Sequence, residues 1–263
     1  MSSDNLVTGS APADGKWEFD ASVAEVFDDM LERSIPNYKD LRSITTSAAL
    51  SLASNTPTPL IVDLGASRGA ALAPIVERRR GEAKYLATDV SEPMLEACKD
   101  RFAEEIEAGF LSVENTDLRL GLPALSDAPS VFILSLTLQF VPIEYRQGIL
   151  RSIYHSLRPG GGLILTEKVL GSAAESNELL VDLYYGLKIE NGYSDEAIER
   201  KRLSLKGVLV PLTAQINEEW LRTAGFELVE CIWAWANFRS WVAIKRDDPA
   251  WVDPNQLAME VEG

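Results

Sequence analysis

Short, almost wholly apolar runs recur along the first two thirds of the chain. They are Leu60-Ile61-Val62-Asp63-Leu64, Tyr85 to Asp89, Phe110 to Glu114, Ser130 to Leu136 and Leu163 to Glu167. Runs of that length, stopped by glycine or polar turns, read as strands buried on both faces. Between them the apolar positions recur at helical spacing. Ala70 to Arg80 ends at Gly81; a second helix starts with Pro93 behind a Ser91 cap and runs to about Ala108. Ile143 to Leu157 is closed by Arg158-Pro159-Gly160-Gly161-Gly162. Buried strands alternating with amphipathic helices predict an α/β fold with a mostly parallel sheet. Near the end, Phe226 to Trp233 and Phe238 to Lys245 are β-rich and separated by a few residues, which predicts an antiparallel edge hairpin and a total of seven strands.

Two helical segments, Ala21 to Ala53 and Ser172 to Leu205, are too long for simple crossovers. Both are expected to cover the carboxyl ends of the strands, where open α/β sheets bind ligands. Residues 1–16 read as a flexible tail, 17–246 as one domain with a helical lid over 172–205, and 247–263 as an acidic tail.

The charge narrows the function. The 263 residues carry 25 basic and 40 acidic side chains, a net charge of −15. No basic stripe offsets it, so nucleic acid and an anionic membrane surface are poor partners, and a small-molecule substrate is expected. One histidine, His155, cannot build a multi-histidine zinc site, so no metal is expected; at the end of a helix it reads as a surface residue. Cys98 and Cys231 fit a reduced protein. The longest apolar run, Val131 to Val141, is too short to span a bilayer, and no secretory signal pattern opens the chain. A soluble, cytoplasmic protein is the expectation.

Candidate chemistry sits at the strand ends. Asp63-Leu64-Gly65-Ala66-Ser67-Arg68-Gly69 joins the first strand to a helix through a glycine turn, which lets backbone approach a ligand closely. It lacks the full G-x-G-x-x-G spacing and a P-loop lysine, so a phosphate is a poor occupant. Asp89 closes the second strand, where a carboxylate can accept from a ribose diol. Asp117 follows the third strand, within reach of an adenine amine. Alone, Asp89 reads equally as an acid at a helix N-terminus and Asp117 as a loop acid. Together with Gly65 they describe a nucleoside site without a phosphate, as S-adenosylmethionine (SAM) requires.

With these motifs the chain resembles the class I SAM-dependent methyltransferases, and more closely the carboxy-S-adenosylmethionine synthases, which make carboxy-SAM from SAM and prephenate. The resemblance runs over about residues 17–246. It is carried by Trp17-Glu18-Phe19-Asp20, Val23 to Met30, Arg33-Ser34-Ile35-Pro36-Asn37-Tyr38, Asp63 to Ser67, Thr137-Leu138-Gln139-Phe140, Glu167-Lys168, Asn191-Gly192-Tyr193-Ser194, Lys201-Arg202 and Asn237-Phe238. It implies a Rossmann-like fold, SAM as ligand and a homodimer. Residue by residue, it implies that Gly65, Ala66 and Ser67 hold the methionine part, Asp89 and Val90 the ribose, and Asp117 and Leu118 the adenine. Tyr38 would lie against the ligand, and Arg202 would bind the extra carboxylate of carboxy-SAM.

Two positions depart from that family. Ser135 stands where it has an Asn, losing an amide donor, and Tyr184-Tyr185 stand where it has paired His. Aromatic faces attract a sulfonium by roughly 1–2 kcal/mol when desolvated. Tyr38, Ser135, Tyr184, Tyr185 and Arg202 are therefore the candidate catalytic residues. The departures keep two other enzymes open. One is cyclisation of SAM to azetidine-2-carboxylate with release of methylthioadenosine, needing conformation more than acid–base groups. The other is methyl transfer to a small molecule. A SAM-binding sensor is the non-enzymatic alternative.

Overall fold

The computed structural model describes residues 16–246, so the two tails lie outside the described residues but for Lys16. The strands are β1 (Leu60–Leu64), β2 (Lys84–Asp89), β3 (Leu111–Asn115), β4 (Val131–Ser135), β5 (Gly162–Leu170), β6 (Leu212–Thr213), β7 (Leu228–Trp235) and β8 (Phe238–Ile244). The helices are α1 (Ala21–Ser34), α2 (Tyr38–Ala53), α3 (Ala73–Arg78), α4 (Glu92–Arg101), α5 (Ala103–Glu107), α6 (Ile143–Ser156), α7 (Ala174–Glu190), α8 (Asp195–Ser204) and α9 (Ala214–Ala224). One eight-stranded sheet runs β3-β2-β1-β4-β5-β8-β7, with the two-residue β6 paired to β5 off that path. The α/β, mostly parallel architecture and the antiparallel hairpin are as the hydrophobic pattern predicts.

Strands β3, β2, β1, β4 and β5 are parallel, and β1 is buried at every position. Val62 is opposite Leu86 on one side and Phe132 on the other. Such apolar strands bury both faces, one against Ile149, Leu150, Ile153 and Leu221, the other against Ala49, Ala53, Ile75 and Cys98. Strand β8 lies antiparallel between β5 and β7, and Thr166 and Ser240 face each other there, hydroxyl to hydroxyl at 2.9 Å. The order reverses between β1 and β4, which is where an open sheet of this kind leaves a crevice at its strand ends.

Several boundaries differ from the pattern. The Ala70–Arg80 helix shrinks to α3 because the chain is still turning through residues 68–72. The helix starting at Pro93 breaks at Phe102, whose ring is buried against Gly69; a Cβ on that glycine would lie 2.3 Å from it. Residues 206–225, where the apolar pattern gave no element, contain β6 and α9. Thr213 caps α9 by accepting from the Ile216 N–H at 3.2 Å.

The first long segment divides its labour between two helices. Helix α2 packs Ala49 and Ala53 onto the sheet, so only its first residue, Tyr38, reaches the strand ends. Asn37 precedes it with φ 44°, a left-handed conformation that re-aims the chain between α1 and α2. Helix α1 is tied to the α7–α8 turn instead. Arg33 donates to the Asn191 carbonyl at 2.9 and 3.1 Å, and Asn191 Nδ2 returns a bond to the Arg33 carbonyl at 2.8 Å. The Ser34 and Tyr193 hydroxyls are 2.7 Å apart. The segment before α1 is pinned by Trp17 N–H to Ser204 O at 3.0 Å and by Ser91 Oγ to Phe19 O at 2.6 Å. Among the described residues no helix is long and apolar enough to cross a membrane.

Candidate active site

The strand ends, the entry segment, α1, α7 and α8 enclose a cavity of about 710 Å³. That size suits a small ligand with its co-substrate. Its floor is the turn after β1. Gly65 has φ 79°, and its amide and that of Ala66 both donate to the Thr88 carbonyl at 2.8 Å. A Cβ on Gly65 would sit 2.2 Å from Thr137 Cγ2, so only glycine lets the β1 and β4 loops approach this closely. Ser67 has φ 49°, and its N–H donates to Asp89 Oδ2 at 2.9 Å, while Ser91 N–H donates to Oδ1 at 3.0 Å. Asp89 thus fixes the loop and faces the cavity at once. Burial raises its pKa, and the N–H groups of Ser91, Ser67 and Val90 oppose that rise.

Gly65, Ala66, Ser67, Asp89, Val90, Asp117, Leu118 and Ser135 all line this cavity, as do Tyr38 and Tyr184. Val90 is largely exposed at the mouth, and Leu118 is buried. Asp117 lies at the rim with its carboxylate occupied. Arg119 Nε lies 2.9 Å from both oxygens, and the Arg119 N–H donates to Oδ1 at 2.9 Å. That guanidinium holds the Asp117 pKa below its ordinary value. Burial pushes the Tyr38 hydroxyl up to about 12, with Arg42 lying 5.7 Å from the ring centroid and opposing the rise. Burial likewise raises Tyr184.

Two of the candidate residues are placed elsewhere in this chain. Tyr185 is half-buried beside Tyr193, Ala197 and Ile198, outside the cavity lining. Arg202 is on the outer face of α8, paired with Glu199 at 2.6 Å and half-exposed. The physical reason is the same for both. Successive helical residues point about 100° apart, so Tyr184 and Lys201 take the cavity face and their neighbours turn away. His155 is exposed at the end of α6, remote from the lining.

Several further lining residues carry chemistry to which no motif assigns a role. Asp63 is fully buried in β1, and neither carboxylate oxygen has a hydrogen-bond partner. Burial, then repulsion from Asp89, pushes its pKa up to about 8. Trp17, Phe19, Phe27 and Phe140 form an aromatic wall; Phe19 meets Phe140 edge to face at 5.2 Å. Lys168, Lys188 and Lys201 face in from the lid side. Gln139 braces this side, with Oε1 accepting from the Lys168 N–H at 2.9 Å and Nε2 donating to the Leu136 carbonyl at 3.3 Å.

A nucleoside with a cationic amino-acid tail fits this donor set. Asp63 is a buried acid with no hydrogen-bond partner in the protein, and the Gly65–Ser67 turn lines the cavity beside it. The fold and site define a SAM-dependent transferase of the class I methyltransferase type. Residues 61–161 match the family model described as a methyltransferase domain. Among solved structures, an O-methyltransferase family protein from Burkholderia thailandensis superposes with TM-score 0.58 at 14% identity, over 87% of this chain and 61% of that one. Human N-acetylserotonin methyltransferase in complex with SAM does so with TM-score 0.56 at 20% identity, over 86% of this chain and 57% of that one. The chain thus spans about three fifths of the length of both, and the likeness is one of fold.

The particular family is shown by closer relatives. The carboxy-S-adenosyl-L-methionine synthase of Desulfotalea psychrophila is 36% identical over 246 residues, 92% of this chain and 97% of the relative. That of Desulforapulum autotrophicum is 38% identical over 240 residues, 89% of this chain and 93% of the relative. That of Methylococcus capsulatus is 36% identical, spanning 93% of this chain and the whole relative. The chain belongs to the carboxy-S-adenosyl-L-methionine synthase family.

Proposed function

We propose that this chain makes carboxy-SAM: prephenate loses its ring carboxyl as CO2 and expels its ring hydroxide to leave phenylpyruvate, the hydroxide takes a proton from the SAM methyl group to give water, and the resulting sulfonium-stabilised carbanion adds the CO2. One observation carries the reading beyond family membership: the chamber above the SAM loops is cationic. SAM is itself a net cation, so a chamber lined by lysines repels it when alone and favours an anion beside it. Prephenate is such an anion, and carboxy-SAM carries one more negative charge than SAM.

In this reading Asp63 takes the methionyl ammonium, the Gly65–Ser67 turn the methionyl backbone, Asp89 the ribose and the Asp117–Leu118 segment the adenine. Tyr38 gives the sulfonium end an aromatic wall, Ser135 lies at the β4 end between the two halves, and Tyr184, with Lys168 and Lys188 over its ring, stands on the far side of the chamber. The aromatic wall keeps water from the reacting carbon. Arg202, held on the outer face by Glu199, reaches a ligand only by rearrangement or from a second copy of the chain. Cyclisation of SAM and methyl transfer to an uncharged acceptor both place the sulfonium under this cationic roof with no anion to offset it, and are disfavoured for that reason.

The test is mass spectrometry of the full chain incubated with SAM alone and with SAM plus prephenate. Carboxy-SAM formed only with prephenate is the expected result. Methylthioadenosine and a cyclic imino acid from SAM alone would replace this reading with self-cyclisation.

A further inference from the structure

Three lysines converge on the lid side of the cavity from three separate elements: Lys168 in β5, Lys188 in the last turn of α7 and Lys201 in α8. The Lys168 and Lys188 ammonium groups lie 4.3 and 5.0 Å from the centroid of the Tyr184 ring, and Lys188 lies 5.2 Å from that of Tyr193. Lys201 lies over the Trp17 ring, with its Nζ 3.5 Å from Met30 Sδ. Among the described residues no carboxylate pairs with any of the three. Their partners are ring faces and a thioether.

The cluster is costly to the protein by itself. Burial pulls Lys168 down to about 8; burial, then Lys168, pulls Lys188 down to about 8; burial, then Lys188, pulls Lys201 well below its ordinary value. A chain with 40 acidic side chains has ample means to supply a counter-ion here and does not. Glu167, next to Lys168, points to the opposite face of β5, where Arg146 acts on it. Lys188 is buried and Lys168 and Lys201 are half-buried, and an unpaired charge so placed is destabilising unless an anion arrives with a ligand.

We propose that Lys168 and Lys188, flanking Tyr184, are the specificity-determining residues for the second substrate and bind the carboxylates of a small dicarboxylate. The assignment rests on the carboxy-SAM reading, in which the second substrate is the carboxylate donor. Two ammonium groups around one ring select two anionic groups over one, and the aromatic wall suits a ring between them. Lys201, seated on Trp17, borders the same chamber. None of the three holds SAM: the adenosyl and methionyl parts go to the strand-end loops, where the acids are.

The test compares Lys168→Gln and Lys188→Gln, and the corresponding Lys→Arg variants, with the unaltered full chain. Calorimetric titrations follow SAM, prephenate and phenylsuccinate, an unreactive aromatic dicarboxylate. Each Gln variant is expected to keep wild-type SAM affinity or exceed it, while both dicarboxylates weaken on the order of 30-fold or more. The Arg variants should recover most of that loss, because they restore the charge. Unchanged dicarboxylate affinity in both Gln variants would overturn the proposal, as would an equal loss of SAM affinity, which would assign the lysines to the methionyl carboxylate. The two readings fail separately. Carboxy-SAM formation by the wild type with an unaltered donor KM in the variants removes the lysine site and leaves the reaction. Lysine-dependent dicarboxylate binding by a wild type that forms no carboxy-SAM removes the reaction and leaves the site.

Discussion

On the strand-end side of the cavity the acids are Asp63, Asp89 and Asp117, the last already neutralised by Arg119; on the lid side the titratable groups are Lys168, Lys188 and Lys201 among tyrosines. The acidic side is built from backbone turns that need glycine, and Asp89 bonds two loop N–H groups. It is preformed. On the lysine side Gln139 braces the Lys168 backbone, but the ammonium groups themselves lie on ring faces. In the proposed reading the two halves receive groups of opposite charge. The acidic half presents the partnerless carboxyl of Asp63 beside Asp89, and the cationic half presents two ammonium groups around the Tyr184 ring. A protein that used SAM alone, or passed its methyl group to a neutral acceptor, would gain nothing from the second half.

The comparison breaks most severely in a Lys168→Gln/Lys188→Gln double variant. Carboxy-SAM formation is expected to fall by about three orders of magnitude in kcat/KM, with SAM binding intact by calorimetry. Next in size is the acidic half. Asp63→Asn should weaken SAM about 10- to 100-fold, the value of a charged hydrogen bond, and leave dicarboxylate binding alone. A similar loss for both ligands would dissolve the division between the halves.

A pH signature follows from Asp63. Burial raises its pKa to about 8 in the free protein, so it is protonated at pH 7. An arriving ammonium favours the carboxylate. SAM binding at pH 7 should therefore release a proton, and SAM affinity should rise with pH until about 8. Calorimetry in buffers of different ionisation enthalpy measures that proton, and Asp63→Asn should abolish it.

The smallest effect is on stability. The Lys188 pKa is about 8 folded against 10.5 as its ordinary value, so its charge opposes folding fully below pH 8 and progressively less up to 10.5. Lys188→Met should raise Tm at pH 7, by about 2–4 °C for each kcal/mol of relief. The gap from wild type should narrow as pH climbs from 8 to 10.5. A lower Tm for the variant would mean that the lysine stabilises the lid.

Much of the acidic half was legible in the sequence. Its residues lie at strand ends, and the apolar runs of β1, β2 and β4 mark those ends within a residue or two. Asp63 escaped because, inside an apolar run, it read as part of the strand, and only burial shows that its oxygens lack partners. The lysine half was legible only in part: Lys168 and Lys201 fall in motifs that carry the family resemblance, but Lys188 and Lys201 are on separate helices and Lys168 is in a strand, so no local window contains the cluster. The paired motifs also hid a choice. In Tyr184-Tyr185 and Lys201-Arg202 one residue faces the chamber and its neighbour turns away, and the helical phase of the lid decides which. The spacing of Tyr184 and Lys188, four residues apart on α7, was the available signal.

The most direct test of opposite halves is the affinity of SAM with and without saturating phenylsuccinate, in the wild type and in the Lys168→Gln/Lys188→Gln double variant. The account predicts that the dicarboxylate tightens SAM roughly tenfold in the wild type, with no change in the double variant. SAM affinity that ignores the dicarboxylate, or falls as it is added, would contradict it.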